Sequence, residues 1–226
     1  MSYFITGTDT GVGKTLVSCA LLRGFAAQGK LVSGFKPVAA GCDEDEHNED
    51  ALALRAASTL QLGYGQVNPY CFPRAIAPHL AARHVGVRIE MRRILTSYDE
   101  LAGQADEVIV EGAGGFLVPL NEDLTFADLA RELDIPVILV VGMRLGCINH
   151  ALLTMAAIEE RQLECAGWVA NVLDDTMPAL QENIETLRAR IAAPLLGIVP
   201  RMDVADANLA VQHLDMSLLE RGQSNE

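Results

Sequence analysis

Along this chain, short apolar runs rich in β-branched residues alternate with longer stretches whose apolar residues recur every three or four positions. The short runs, at 3–6, 31–36, 107–111, 137–141, 166–171 and 195–199, predict strands. EVIVE and PVILVVG are apolar at consecutive positions, the pattern of strands buried on both faces of a parallel sheet. The longer stretches, at 14–28, 50–57, 89–103, 126–133, 149–161 and 179–191, predict helices, and a tail helix is expected over 207–220. Such alternation implies right-handed strand–helix–strand crossovers. The fold class is α/β: a mostly parallel, doubly wound sheet with helices on both faces. The 63–78 connection mixes Gly, Pro and aromatics without a period, so no element is assigned to it. No repeat, low-complexity tract or linker interrupts the pattern, and residues 1–226 are expected to form a single domain.

Sheets of this class bind ligands beyond the carboxyl ends of their strands, so the residues following each strand matter most. After the first strand comes GTDTGVGKT, residues 7–15, opening a helix. Glycines there let backbone N–H groups turn toward an anion, and the helix N-terminus adds partial positive charge. This is the context and chemistry of a phosphate-binding loop, and it narrows the fold to the P-loop NTPase type. In that reading Lys14 reaches the β- and γ-phosphates and the Thr15 hydroxyl meets Mg²⁺. Five residues separate Gly7 from Gly13, one more than the usual spacing. The longer loop can aim Thr8, Asp9 or Thr10 past the γ-phosphate.

The second strand ends GFKPVAAG, placing Lys36 at a carboxyl end, where its amine can neutralise charge developing in phosphoryl transfer. The next ends VIVEGAGG, with Glu111 directly after a buried run, the position of a Walker-B-type magnesium acid. Asp50 precedes ALALRAA and is read on its own as that helix's N-cap. NVLD, residues 171–174, resembles a guanine reader but lacks its lysine; Asn171 can instead bond an adenine edge. The last strand ends GIVPRMD, where the residues beyond Val199 can wall a base pocket.

Composition sets limits. The net charge of −13 comes without a basic stripe, which excludes general nucleic-acid binding and points to solubility. No run approaches the ~18 apolar residues of a membrane span, so neither membrane nor nucleic acid is an expected partner. The five cysteines (19, 42, 71, 147 and 165) form no C-x-x-C, and reduced thiols in the cytoplasm are expected. His150 has no metal-ligand spacing and is read as structural.

Taken in order, GTDTGVGKT, GFKPVAAG, DALAL, VNPY, VEGAGG, PVILVVG, LGCINHALLT, AGWVAN and APLLGIVP resemble the dethiobiotin synthetase family, through most of the chain. The resemblance implies an ATP-dependent ligase that joins 7,8-diaminononanoate and CO₂ (or bicarbonate), closes a ureido ring through a carbamoyl phosphate, and works as a homodimer with Mg²⁺ and ATP. It implies that Gly11, Val12, Gly13, Lys14, Thr15 and Leu16 cradle the phosphates, and that Thr15, Asp50 and Glu111 hold Mg²⁺. Lys36 becomes the catalytic lysine. Glu111, Gly112, Ala113 and Gly114 line the nucleotide, while Asn171, Pro200, Arg201 and Met202 border adenine. Thr10 faces the substrate, and Asn149 receives its carboxylate across the dimer interface. One position departs: many family members carry Ser or Thr four residues after the lysine, where this chain has Ala40. The alternative class, a ParA/MinD-like switch ATPase, often carries a second lysine inside the loop. Thr10 stands at that position here, and no basic amphipathic C-terminal helix is evident.

Overall fold

The computed structural model describes residues 2–220. In chain order it forms β1 (Ser2–Gly7), α1 (Lys14–Ala27), β2 (Val32–Phe35), β3 (Val38–Ala40), α2 (Glu49–Ala57) and α3 (Tyr64–Val67). Next come β4 (Tyr70–Phe72), α4 (Pro78–His84), α5 (Met91–Ala102), β5 (Glu107–Glu111), α6 (Phe126–Leu133) and β6 (Val137–Met143). The last elements are α7 (Cys147–Glu160), β7 (Cys165–Val172), α8 (Leu180–Arg190), β8 (Leu195–Val199), α9 (Ala207–Ala210) and α10 (Ser217–Glu220).

Six strands form one parallel sheet in the order β2-β5-β1-β6-β7-β8. β1, β5 and β6 occupy its centre and are buried at every position, including the polar residues at the ends of β1 and β5. From β1 to β2 the chain steps one way across the sheet; from β6 through β7 to β8 it steps the other way. Right-handed crossovers then put α1 on one face and α7 and α8 on the opposite one. α1 accordingly packs on β1, β2 and β5, and α7 on β6 and α8. The carboxyl ends of β1, β2 and β5 are neighbours at the point where the strand order reverses, so the loops that leave them share one crevice.

A second sheet pairs β3 and β4 in parallel, with Ala39 opposite Cys71. Nothing in the sequence pattern marks it, since three residues are too few to show a period. The pairing also overturns the expectation of five reduced thiols. It brings Cys42 to Cys71, which form a disulfide with Cα atoms 6.1 Å apart, inside the usual span. Cys19, Cys147 and Cys165 remain free. Burial pushes the Cys19 thiol up to about 12 and the Cys165 thiol up to about 11.

The expected tail helix is broken. A 3₁₀ turn (Val211–His213) follows α9, and Leu214 then bridges to Gly197 at the β8 edge before α10 begins. The Asp215 amide bonds the Leu196 carbonyl at 2.7 Å, so an open strand edge competes for backbone groups that a continuous helix would use internally. Among the described residues, no helix is long and apolar enough to cross a membrane.

Candidate active site

The loop between β1 and α1 is shaped by glycine where no other residue fits. Gly13 adopts φ 90°, and a Cβ there would lie 2.1 Å from Nδ2 of Asn171. That Nδ2 donates to the Val12 carbonyl at 2.8 Å, so Asn171 at the end of β7 clamps the loop from below. Val12 itself is buried, filling space against Gly7 and Gly142. The extra residue is absorbed on the β6 side: the Thr8 amide donates to Val140 O at 3.0 Å, the Gly142 amide donates to Thr8 Oγ1 at 3.3 Å, and Asp9 pairs with Arg144. Lys14 closes the loop by donating to the Asp9 carbonyl at 2.9 Å. Burial, then the nearby Lys36 charge, brings the Lys14 ammonium down to about 8.

Beside the loop, four segments converge. The Thr15 hydroxyl lies 2.8 Å from Asp50 Oδ1 and 2.9 Å from Glu111 Oε1. Lys36 Nζ donates to Glu111 Oε1 at 2.6 Å, Asp50 Oδ2 at 3.0 Å and Gly112 O at 3.2 Å. Lys36 and Glu111 are buried, while the Asp50 side chain is 44% exposed and faces the crevice. Burial disfavours the Lys36 charge, but the Glu111 and Asp50 carboxylates outweigh it and hold the ammonium above its usual range. Burial likewise pushes the Asp50 carboxyl up, but Lys36 and Thr15 bring it below the ordinary value.

Asp50 is free for this because Asn48, not Asp50, caps α2. The Asn48 side chain accepts from the Asp50 and Ala51 amides. The cap expected at Asp50 is thus taken by Asn48, two residues earlier, and the helix begins one residue earlier than expected.

A cleft of about 690 Å³ opens above these groups, floored by the phosphate loop, Lys36, Ala40 and Asp50, and walled by Ala113, Gly114 and Val118. Its far rim, Ala75 to Pro78, was not foreseen, although the proline at the start of α4 marks a chain reversal. No group of three or more His, Cys, Asp or Glu side chains is arranged for a metal among the described residues. Two carboxylates and a hydroxyl nonetheless form a hard oxygen set of the kind Mg²⁺ uses together with substrate phosphates. Glu111 Oε2 is buried without a hydrogen-bond partner, an acceptor suited to a cation. The residues present therefore fit Mg²⁺.

A family model described as an AAA domain matches residues 1–208. The chain is 54% identical over 208 residues to the ATP-dependent dethiobiotin synthetase BioD of Aromatoleum aromaticum, covering 91% of this chain and 92% of that protein. It is also 54% identical over 228 residues to the one from Cellvibrio japonicus, covering 96% and 97%. The chain belongs to the dethiobiotin synthetase family. Among solved structures, the Aquifex aeolicus MinC:MinD cell division complex matches with a TM-score of 0.58 at 15% identity, covering all of this chain and 96% of that one. That likeness shows the P-loop NTPase fold alone, and the switch-ATPase alternative is not favoured.

Against the dethiobiotin synthetase site expected from sequence, the structure brings Thr10, Gly11, Gly13, Lys14, Thr15, Leu16, Lys36, Ala40, Asp50, Ala113 and Gly114 to one cleft. Glu111 and Gly112 lie beneath it, in contact with Lys36. The segment after β8 reaches the cleft at Ala205, while Pro200 and Arg201 are exposed and Arg201 pairs with Asp175 at 3.7 Å. Asn171 is buried, its amide nitrogen committed to the loop backbone. Asn149 is exposed on α7, outside the cleft of its own chain.

Proposed function

We propose that this protein makes dethiobiotin: it carboxylates 7,8-diaminononanoate with CO₂ at the expense of ATP and closes the ureido ring, releasing ADP and phosphate. The observation that carries the reading is the convergence of Thr15, Asp50, Glu111 and Lys36 at the phosphate loop, in a chain whose relatives bear that name. One substrate amine adds to CO₂, losing a proton and giving a carbamate. A carbamate oxygen then attacks the γ-phosphorus as the bond to ADP breaks. The second amine attacks the carbonyl carbon of the resulting carbamoyl phosphate, losing a proton and expelling phosphate as the cyclic urea forms.

The chain's work is positioning and charge neutralisation. Backbone amides from Gly11 to Leu16 hold the phosphates, with Lys14 reaching toward them. Thr15, Asp50 and Glu111 would hold Mg²⁺, which supplies Lewis-acid neutralisation of phosphate charge. Lys36, kept charged by its two carboxylates, stabilises the negative charge shared by carbamate and γ-phosphate. Thr10, midway along the lengthened loop and near Gly114, faces the diamine, with Ala40 on the cleft floor. Glu111, Gly112, Ala113 and Gly114 line the nucleotide, whose base lies toward Asn171, Pro200, Arg201 and Met202. A second copy supplies Asn149 for the substrate carboxylate, and the chain acts as a single-domain subunit of a cytoplasmic homodimer.

The test is ADP release measured with and without the diamine, in the presence of bicarbonate and MgATP. Release that requires the diamine and is accompanied by dethiobiotin is expected. Release at the same rate without it overturns the assignment.

A further inference from the structure

The VNPY stretch has no part in the chemistry above, yet its residues tie the two sides of the site together. β2 ends at Phe35, and Pro37 has no N–H to extend the ladder, so the Lys36 carbonyl leaves the sheet at a buried position. Asn68 Nδ2 donates to that carbonyl at 2.6 Å and to the Tyr70 carbonyl at 2.9 Å. Asn68 Oδ1 accepts from the Tyr64 hydroxyl at 2.8 Å. The same hydroxyl accepts the Asn48 amide at 2.8 Å, and Asn48 caps the helix that presents Asp50. The Lys36 amide adds a bond to Val67 O at 2.8 Å. Asn68 is buried with its two N–H groups and its oxygen all engaged, so its place is defined on three sides.

We propose that Tyr64 and Asn68 are positioning residues for the synthetase reaction: a hydrogen-bonded relay that fixes the Lys36 backbone and the α2 N-terminus in register, so that ammonium and metal-binding carboxylate meet at the γ-phosphate. Neither residue touches substrate. The relay runs from Lys36 O through Asn68, Tyr64 and Asn48 to the Asp50 amide, and each link is specific in direction. It rests on the reading of Asp50 as a metal ligand.

The experiment compares Tyr64→Phe, Asn68→Asp and the control Asp50→Asn. Mn²⁺, a spin probe for the magnesium site, is titrated by EPR in the presence of a non-hydrolysable ATP analogue. Metal-free analogue affinity, Tm and kcat are measured alongside. Tyr64→Phe removes only a hydroxyl. It should weaken Mn²⁺ binding about 3- to 10-fold, the loss of one neutral hydrogen bond, with kcat falling in step. Metal-free analogue affinity should stay unchanged and Tm within about 4 °C. Asn68→Asp keeps the shape but loses both donors, and should lower kcat more than it weakens Mn²⁺, because Lys36 loses its anchor directly. If Asp50→Asn weakens Mn²⁺ while Tyr64→Phe matches wild type in metal affinity and kcat, the relay is overturned and the ligand reading stands. If Asp50→Asn leaves Mn²⁺ binding intact, the ligand reading fails and takes the relay with it. Loss of Tm, analogue and metal binding together in Tyr64→Phe also overturns it, since that is general loosening.

Discussion

Lys36 and Glu111 form a buried ion pair, with Asp50 as the second carboxylate on Lys36. Such a pair contributes little net stability, but removing one member strands the other. Glu111→Gln leaves Lys36 with Asp50 alone, and a loss of up to about 3 kcal/mol is expected in urea unfolding, together with a raised Mg²⁺ requirement for turnover. On the proposed mechanism Lys36→Ala removes the charge set against developing phosphoryl and carbamate charge, and should lower kcat about 10²- to 10³-fold. ATP affinity measured by calorimetry should be largely spared, because the phosphate loop keeps its own contacts. Near-wild-type kcat would remove Lys36 from the mechanism. At Ala40, half-buried on the cleft floor, Ala40→Ser restores the hydroxyl that many family members carry. A neutral hydrogen bond is about 1 kcal/mol, so KM for the diamine should fall about 5-fold with kcat unchanged.

At the scale of elements, capping decides what each helix can offer the site. α2 leaves Asp50 available only because Asn48 takes the cap; the run Asn48-Glu49-Asp50 holds two good cap residues, and sequence alone does not choose between them. Strands 107–111 and 195–199 and helix 126–133 have the bounds their patterns gave, because each is marked by apolar period and local end signals. The phosphate loop, Lys36 and Glu111 were legible for the same reason: each lies at the end of a strand that announces itself. β3, β4 and the Cys42–Cys71 bond were not, since a three-residue parallel pair depends on contacts about thirty residues apart. Asn68 and Tyr64 were hidden likewise, because apart from each other the relay partners they hold are backbone atoms brought near by folding. α6 gives a case with a pH signature. Thr125 and Asp128 form a reciprocal capping box, and Asp128 also pairs with Arg161. Burial pushes the Asp128 carboxyl up, but the Thr125 hydroxyl and amide and Arg161 bring it below the ordinary value. A depressed folded-state pKa contributes stability that is present above the unfolded value, about 3.9, and is lost as pH falls through the folded one. Thr125→Ala should cost about 1 kcal/mol at pH 7. The destabilisation caused by Asp128→Asn should be present at pH 7 and shrink as thermal melts are taken below about pH 4; a pH-independent difference would refute the assignment.

For the whole molecule, one feature of the surface bears on assembly. Leu145 is 94% exposed and Leu153 62% exposed, and with Asn149 they are spaced four residues apart, on one side of α7 and its leading turn. Large apolar side chains this exposed, flanking the residue that we propose serves a neighbour's substrate, suit the face of a two-fold dimer. If Asn149 serves the partner's cleft while Lys36 serves its own, the two residues act in different subunits of one site. Asn149→Ala and Lys36→Ala then damage different halves, and mixing the two inactive proteins after reversible dissociation should restore activity. With random pairing half the dimers are hybrids, each with one intact site of two, so about a quarter of wild-type turnover is expected from two-fold geometry. Leu145→Asp with Leu153→Asp should shift sedimentation to the monomer and abolish that rescue, because a charge at each exposed leucine opposes its burial. If the mixture recovers nothing while hybrid dimers form, Asn149 belongs to its own subunit, and the substrate carboxylate must be held from within a single chain.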